Sequence, residues 1–293
     1  MTCVATSQTY PRVTVEIPID KTGLKMTLVD HRATLCDNHG MAAGLIGLLL
    51  FVTGVAGGFM NTVAGGASLL CLPVLVWIGL DATVANATTN TATMVQALFS
   101  TYRYARIRFG NPQLLFRIAP FSFVGAIVGA FVVVGLSADV FQKIVGVLMV
   151  LTLALILKTP GAPSRTAPIV IPRVLSRRFW IAGVLFFVFG LYGGFFGGGV
   201  GLMLLPSLVI LFGLDYVTAN GVKAGIAVVM NTTAFVVFVV AGLISWQHAF
   251  VLTAGMMVGT HIGIHVSLKR GPMWVRRFLV VITVFSALWF LFG

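Results

Sequence analysis

Negative charge is almost absent from this chain. Its 293 residues include seven aspartates and glutamates, and four of these (Glu16, Asp20, Asp30, Asp37) fall in the first 40 positions. The other three, Asp81, Asp139 and Asp215, sit at positions that read as loops, so no hydrophobic segment carries a carboxylate. A buried carboxylate for proton or sodium coupling is therefore missing. Cysteine is scarce too: Cys3, Cys36 and Cys71 are odd in number and lack metal-ligand spacing, which makes them unpaired thiols with no assigned chemistry. Charged residues of either sign make up 9%, against about 25% in soluble domains. A signal-peptide pattern is also missing, because the first apolar run begins only at Met41.

Hydrophobic residues fill that space. They make up 58% of the chain, and mean hydropathy is +1.03. Apolar runs near the membrane-spanning length of ~20 residues recur from Met41 onward. That length argues for an all-α integral membrane protein, a polytopic helix bundle rather than a β-barrel. The net charge of +12 raises nucleic acid as a partner. The basic residues cluster in short loops between spans, however, so the lipid bilayer is the expected partner and nucleic acid is not.

Ten hydrophobic helices are expected, five per half: 41–59, 64–78, 82–102, 113–135 and 138–157, then 179–196, 199–212, 216–242, 248–266 and 274–292. The chain divides into a tail (1–40), a first membrane repeat (41–157), a basic Pro-rich cytoplasmic linker (158–178) and a second repeat (179–293). The tail is expected to be poorly ordered and dispensable, a start-site artefact upstream of Met41 being one reading. Val13-Thr14-Val15-Glu16-Ile17 alternates like a strand without a core to pack on. Arg103, Arg106 and Arg108, the linker arginines, and Lys269, Arg270, Arg276 and Arg277 all fall on one side under this count. That side is the cytoplasm, with both termini outside. Five helices per half invert the second half against the first, an inverted-topology repeat with broken or re-entrant short helices. Residues 199–212 reach about 21 Å, less than a hydrocarbon core of about 30 Å.

One stretch is written twice. Gly57-Gly58-Phe59-Met60-Asn61-Thr62-Val63-Ala64-Gly65-Gly66-Ala67-Ser68 runs on to Pro73, Gly79-Leu80-Asp81 and Ala85-Asn86. Gly193-Gly194-Phe195-Phe196-Gly197-Gly198-Gly199-Val200-Gly201 runs on to Pro206, Gly213-Leu214-Asp215 and Ala219-Asn220. Paired glycine interruptions in corresponding hydrophobic segments point to a midplane binding site. Each interruption is followed by a helix start, whose free N–H groups and positive dipole end suit an oxyanion. The other reading is close helix packing, as small-xxx-small motifs provide. Asn61, Gly65, Gly66, Ala67 and Ser68 are the candidates from the first copy, Gly197, Gly198, Gly199 and Gly201 from the second.

Lys223 is the one basic residue well inside a span. A lysine there costs about 2.5–3.5 kcal/mol or more, and with no internal carboxylate its expected partner is a bound anion. Snorkelling to the cytoplasmic surface is the alternative. Its repeat counterpart is Thr89. Asn86, Asn90, Thr93 and Gln96 form a polar stripe beside Thr89, matched by Asn220, Lys223, Ala227 and Asn231 in the second half. Such donors serve an anion or bond helix to helix. His261 and His265 lie four apart on one helix face without acidic or cysteine ligands, which favours packing or an interfacial role over a metal. Ser68 with a histidine would suggest an intramembrane serine hydrolase, but the other copy has Gly201 there and nothing fixes a base beside it.

From Met41 onward the chain resembles the sulfite exporter TauE/SafE family, also called the 4-toluene sulfonate uptake permeases. Gly58 to Gly66 looks like the family's first glycine-rich motif, and Tyr192 to Gly199 like its second. Asn220-Gly221-Val222-Lys223 is similar to its Asn/Thr-rich segment. Asn61 stands where many relatives carry an acid, as Gly193 does for some, so carboxylate coupling is not carried over. The resemblance implies a multi-pass transporter of sulfite, sulfonates or small carboxylates in the bacterial cytoplasmic membrane, not an enzyme, with no cofactor or metal. Alternating access is the expected mechanism, an anion channel the alternative. An inside-negative potential favours anion exit by about 2.3 kcal/mol per charge per 100 mV, which tips the reading toward export and leaves uptake open. Phe-rich faces such as Phe186-Phe187 read equally as lipid-facing surface or a homodimer contact.

Overall fold

The computed structural model describes residues 12–16, 25–29, 40–63, 65–107, 111–158 and 176–269. The alternating tail segment does form a strand, β1 (Arg12–Glu16), and it pairs antiparallel with β2 (Lys25–Val29), Val13 opposite Leu28. Its partner is a second strand of the same tail; the expectation of poor order otherwise falls outside the described residues. The expected tenth helix, 274–292, and nearly all of the linker also lie outside them.

Nine α-helices are described: α1 (Gly40–Val63), α2 (Ala67–Trp77), α3 (Ala82–Arg106), α4 (Pro112–Val134), α5 (Ala138–Lys158), α6 (Arg177–Phe195), α7 (Val200–Phe212), α8 (Tyr216–Val240) and α9 (Trp246–Lys269). Segments 44–63, 112–134, 216–240 and 246–267 are each long and apolar enough to cross a membrane. With 11 and 13 residues, α2 and α7 reach only about 16 and 20 Å. Each stops at a glycine with positive φ, Gly79 (+102°) or Gly213 (+69°), and an aspartate two residues later starts the next long helix. Asp215 does so with its side chain, which accepts from the Val217 and Thr218 N–H groups at 3.0 Å.

The described helices exchange partners between the halves. α1 packs on α9 and α4 on α6, while α3 and α8 meet at the centre and lean on α9 and α4 respectively. Replacing each helix by the one five places along the chain maps this scheme onto itself. The two outer pairs are glycine seams. A Cβ on Gly58 would run into the Met256 carbonyl oxygen, and one on Gly259 into that of Val55. In the other pair, Gly129 meets the Leu191 carbonyl and Gly190 that of Ser122. Backbones approach this closely only where side chains are missing.

α3 is polar along much of its length and still buried, Thr88 and Thr89 completely. Such a helix survives at membrane depth only inside a protein bundle. Apolar clusters flank it, one through Leu72, Phe141 and Phe238, the other through Phe186, Leu204 and Ile226. Phe186 is fully buried and packs edge-on against Phe189. The expected Phe186-Phe187 outer face is therefore half core, with Phe187 only partly buried.

A polar cavity between two helix breaks

The first break begins one turn later than expected. α1 continues through Asn61 and Thr62 to Val63 because the polar groups there find partners. Asn61 Nδ2 donates to Gln96 Oε1 at 2.7 Å, Gln96 Nε2 to Thr62 Oγ1 at 3.2 Å, and Thr62 Oγ1 back to the Gly58 carbonyl at 2.8 Å. The last four carbonyls of any α-helix lack intrahelical donors. Here all four are accounted for. Met60 accepts from the Gly65 N–H at 3.0 Å, and Val63 from the Tyr216 hydroxyl. Asn61 and Thr62 accept from Lys223 Nζ at 3.1 and 3.0 Å. Lys223 is 6% exposed and does not snorkel. Its protein partner is the negative end of a helix dipole, which takes two of its three donors.

The second break is closed differently. α6 ends at Phe195, whose carbonyl accepts from Asn86 Nδ2 of α3 at 3.0 Å. The Tyr192 hydroxyl lies 2.9 Å from Thr152 Oγ1 and bonds the Gly198 carbonyl. Each broken helix is thus held by a polar side chain from the central helix of the other half.

The two breaks touch. Gly65 has φ +90°, and a Cβ there would collide with the Cα of Gly201, so this position excludes side chains on both counts. Gly197 and Gly199 also have positive φ, at +70° and +80°. Neither α2 nor α7 has a side-chain cap on its first turn. Both starts border one cavity of about 40 Å³, room for roughly three waters. Asn90 to Ser100 of α3 and Lys223 to Asn231 of α8 close its sides, about halfway along those helices. Among the described residues that line it, Lys223 is the one with an ionisable side chain.

Of the sequence candidates, the cavity brings together Asn61, Gly65, Ser68, Asn90, Gly197, Gly201 and Lys223. Gly66, Ala67, Gly198 and Gly199 shape the breaks without lining it, and Asn86 is the cap on α6. Thr89 and Asn220 are fully buried outside the cavity, about one turn nearer the starts of α3 and α8. Thr89 Oγ1 and Asn220 Oδ1 have no hydrogen-bond partner there, and Asn220 Nδ2 turns back to the Tyr216 carbonyl at 3.1 Å. Thr93, Gln96, Ala227 and Asn231 of the two stripes do line the cavity. Thr62, Ser100, Phe196 and Val200 are additional wall residues; helical spacing from Gln96 could have found Ser100, whereas Thr62, adjacent to Asn61, is not reached by that spacing. His261 and His265 are exposed on α9, their rings 4.9 Å apart. Among the described residues no cluster of metal-ligating side chains forms.

Residues 50–290 match the family model described as sulfite exporter TauE/SafE. The chain is 25% identical over 236 residues to a probable membrane transporter protein of Haemophilus influenzae, covering 80% of this chain and 90% of that one. It is 27% identical over 245 residues to the probable membrane transporter protein YfcA of Escherichia coli, covering 82% and 87%. A third relative, the probable membrane transporter protein YunE of Bacillus subtilis, is 26% identical over 260 residues, covering 84% and 92%. No solved structure matches.

Proposed function

Because the chain belongs to the sulfite exporter TauE/SafE family of membrane transporters, we propose that it is a secondary transporter carrying a small sulfur-containing or organic anion across the bacterial cytoplasmic membrane. The anion occupies the cavity between the breaks. There it accepts hydrogen bonds from the uncapped starts of α2 and α7 and from the remaining donor of Lys223. Asn61, Ser68, Asn90 and Asn231 supply neutral polar contacts, which hold an oxyanion and still release it. The observation that carries this reading is the meeting of two helix starts without side-chain caps at one cavity whose lining, among the described residues, bears a single positive charge and no carboxylate. Helix starts attract anions through their free N–H groups and dipole.

Alternating access is supported by the exchange of packing partners between halves. That scheme is what a two-fold structural repeat produces, and inverted repeats rock about a site at their interface.

Thermal unfolding of the purified protein in sodium-free choline buffer tests the reading. Sulfite and methanesulfonate should raise the unfolding temperature saturably, and Lys223→Ala should weaken that response about tenfold or more, the loss of one charged hydrogen bond. Unchanged affinity in a folded Lys223→Ala protein would remove Lys223 from the site. Uptake of labelled sulfite into proteoliposomes, with single-channel recording alongside, separates a transporter from a channel.

A further inference from the structure

A broken helix inside a membrane presents two charged ends, and the second matters here as much as the first. Helix starts favour anions, while unwound carbonyls at helix ends coordinate sodium or protons in many secondary transporters. The end of α1 is such a place: Asn61 and Thr62 line the cavity with Gly65 and Ser68, and their carbonyls accept from Lys223, which also lines it. In this chain the position is already filled. Lys223 Nζ stands 3.1 and 3.0 Å from those two oxygens, delivered from α8 across 162 and 161 residues of sequence. The Met60 and Val63 carbonyls on either side are taken by the Gly65 N–H and the Tyr216 hydroxyl. At the matching end of α6 the Phe195 carbonyl accepts from an uncharged amide, Asn86 Nδ2.

We propose that the Lys223 ammonium is the resident cation of this site, standing where a sodium ion would otherwise sit on the C-terminal carbonyls of α1, so that the protein binds its anion without sodium. The inference rests on the anion-site reading for its consequence, though not for its geometry. A covalently tethered ammonium does not diffuse away, so it stays beside the bound anion and travels with the protein. It therefore removes sodium at this position as a driving ion.

The arrangement predicts what happens when the tether is cut. Lys223→Ala leaves two carbonyls and a dipole end facing a polar void large enough for a sodium ion and a water. The test measures unfolding temperature without any anionic substrate, comparing sodium chloride with choline chloride at equal ionic strength. The wild-type protein should show no sodium-specific shift. Lys223→Ala should unfold at lower temperature in choline and recover about 3 °C in saturating sodium, and its sulfite response should become sodium-dependent. Lys223→Gln, which can keep one carbonyl bonded, is the second variant if alanine is not tolerated, and a smaller sodium response is expected from it. A saturable sodium-specific shift in the wild-type protein overturns the proposal, and so does a folded Lys223 variant that ignores sodium. If sulfite never stabilises any form while the sodium pattern holds, the anion reading fails and the resident-cation inference stands.

Discussion

Two side chains, Lys223 and Asn86, do equivalent jobs with unequal chemistry. Each closes the carbonyl end of a broken helix in the other half, one with an ammonium and the other with a carboxamide. Lys223 stood out in the sequence as the one cation deep in a span. Its partner was not legible, because backbone carbonyls have no letter and these lie more than 160 residues away. The sequence groups Asn86 with the substrate-binding candidates, and nothing in its neighbourhood names Phe195, 109 residues distant. Asn86→Ala should therefore cost stability rather than affinity. Leaving a buried carbonyl unpaired costs about 1–3 kcal/mol, which should appear as a lower unfolding temperature with sulfite affinity within twofold of the wild type. A tenfold loss of affinity at unchanged stability would return Asn86 to the binding site.

Among the elements, the glycines of the duplicated stretch divide into two kinds. Gly58 and Gly194 serve helix seams, where a Cβ would strike the Met256 or Ala126 carbonyl, whereas Gly65, Gly197 and Gly199 serve the breaks. The close-packing reading of the glycine pattern thus holds at Gly58 and Gly194, while Gly65, Gly197 and Gly199 shape the breaks. Hydropathy placed the nine described helices to within a few residues, since a lipid-facing run ends where polarity resumes. It failed at the end of α1, where Asn61 and Thr62 looked like a break but are satisfied by Gln96 and by the helix itself. The four-residue spacing of Gly54 and Gly58, of Gly125 and Gly129, and of Gly190 and Gly194 was legible but unpaired, because a sequence does not say which seam meets which. Gly129→Val should force α4 off α6 and abolish a monodisperse peak in detergent size-exclusion chromatography. Gly135→Ala, whose Cβ would find its nearest neighbour 3.7 Å away, should leave that peak unchanged.

For the molecule as a whole, charge placement makes a claim about sidedness. The positive-inside rule predicts Arg103 and Arg106 at the end of α3 on the cytoplasmic side, and the uncharged turn from Gly242 to Ser245 on the outer side. In a chain whose native cysteines are replaced by alanine, Leu243→Cys should react with a membrane-impermeant maleimide in intact cells, and Ile107→Cys only after permeabilisation. The reverse pattern would invert the topology. The partner exchange carries a further consequence, one that concerns synthesis. The glycine face of α1 is made early, yet the surface it fits, on α9, emerges roughly two hundred residues later. Until then the seam has only lipid or the insertion machinery beside it. The first half therefore cannot mature alone and must wait, unlatched, for nearly the whole chain to enter the bilayer.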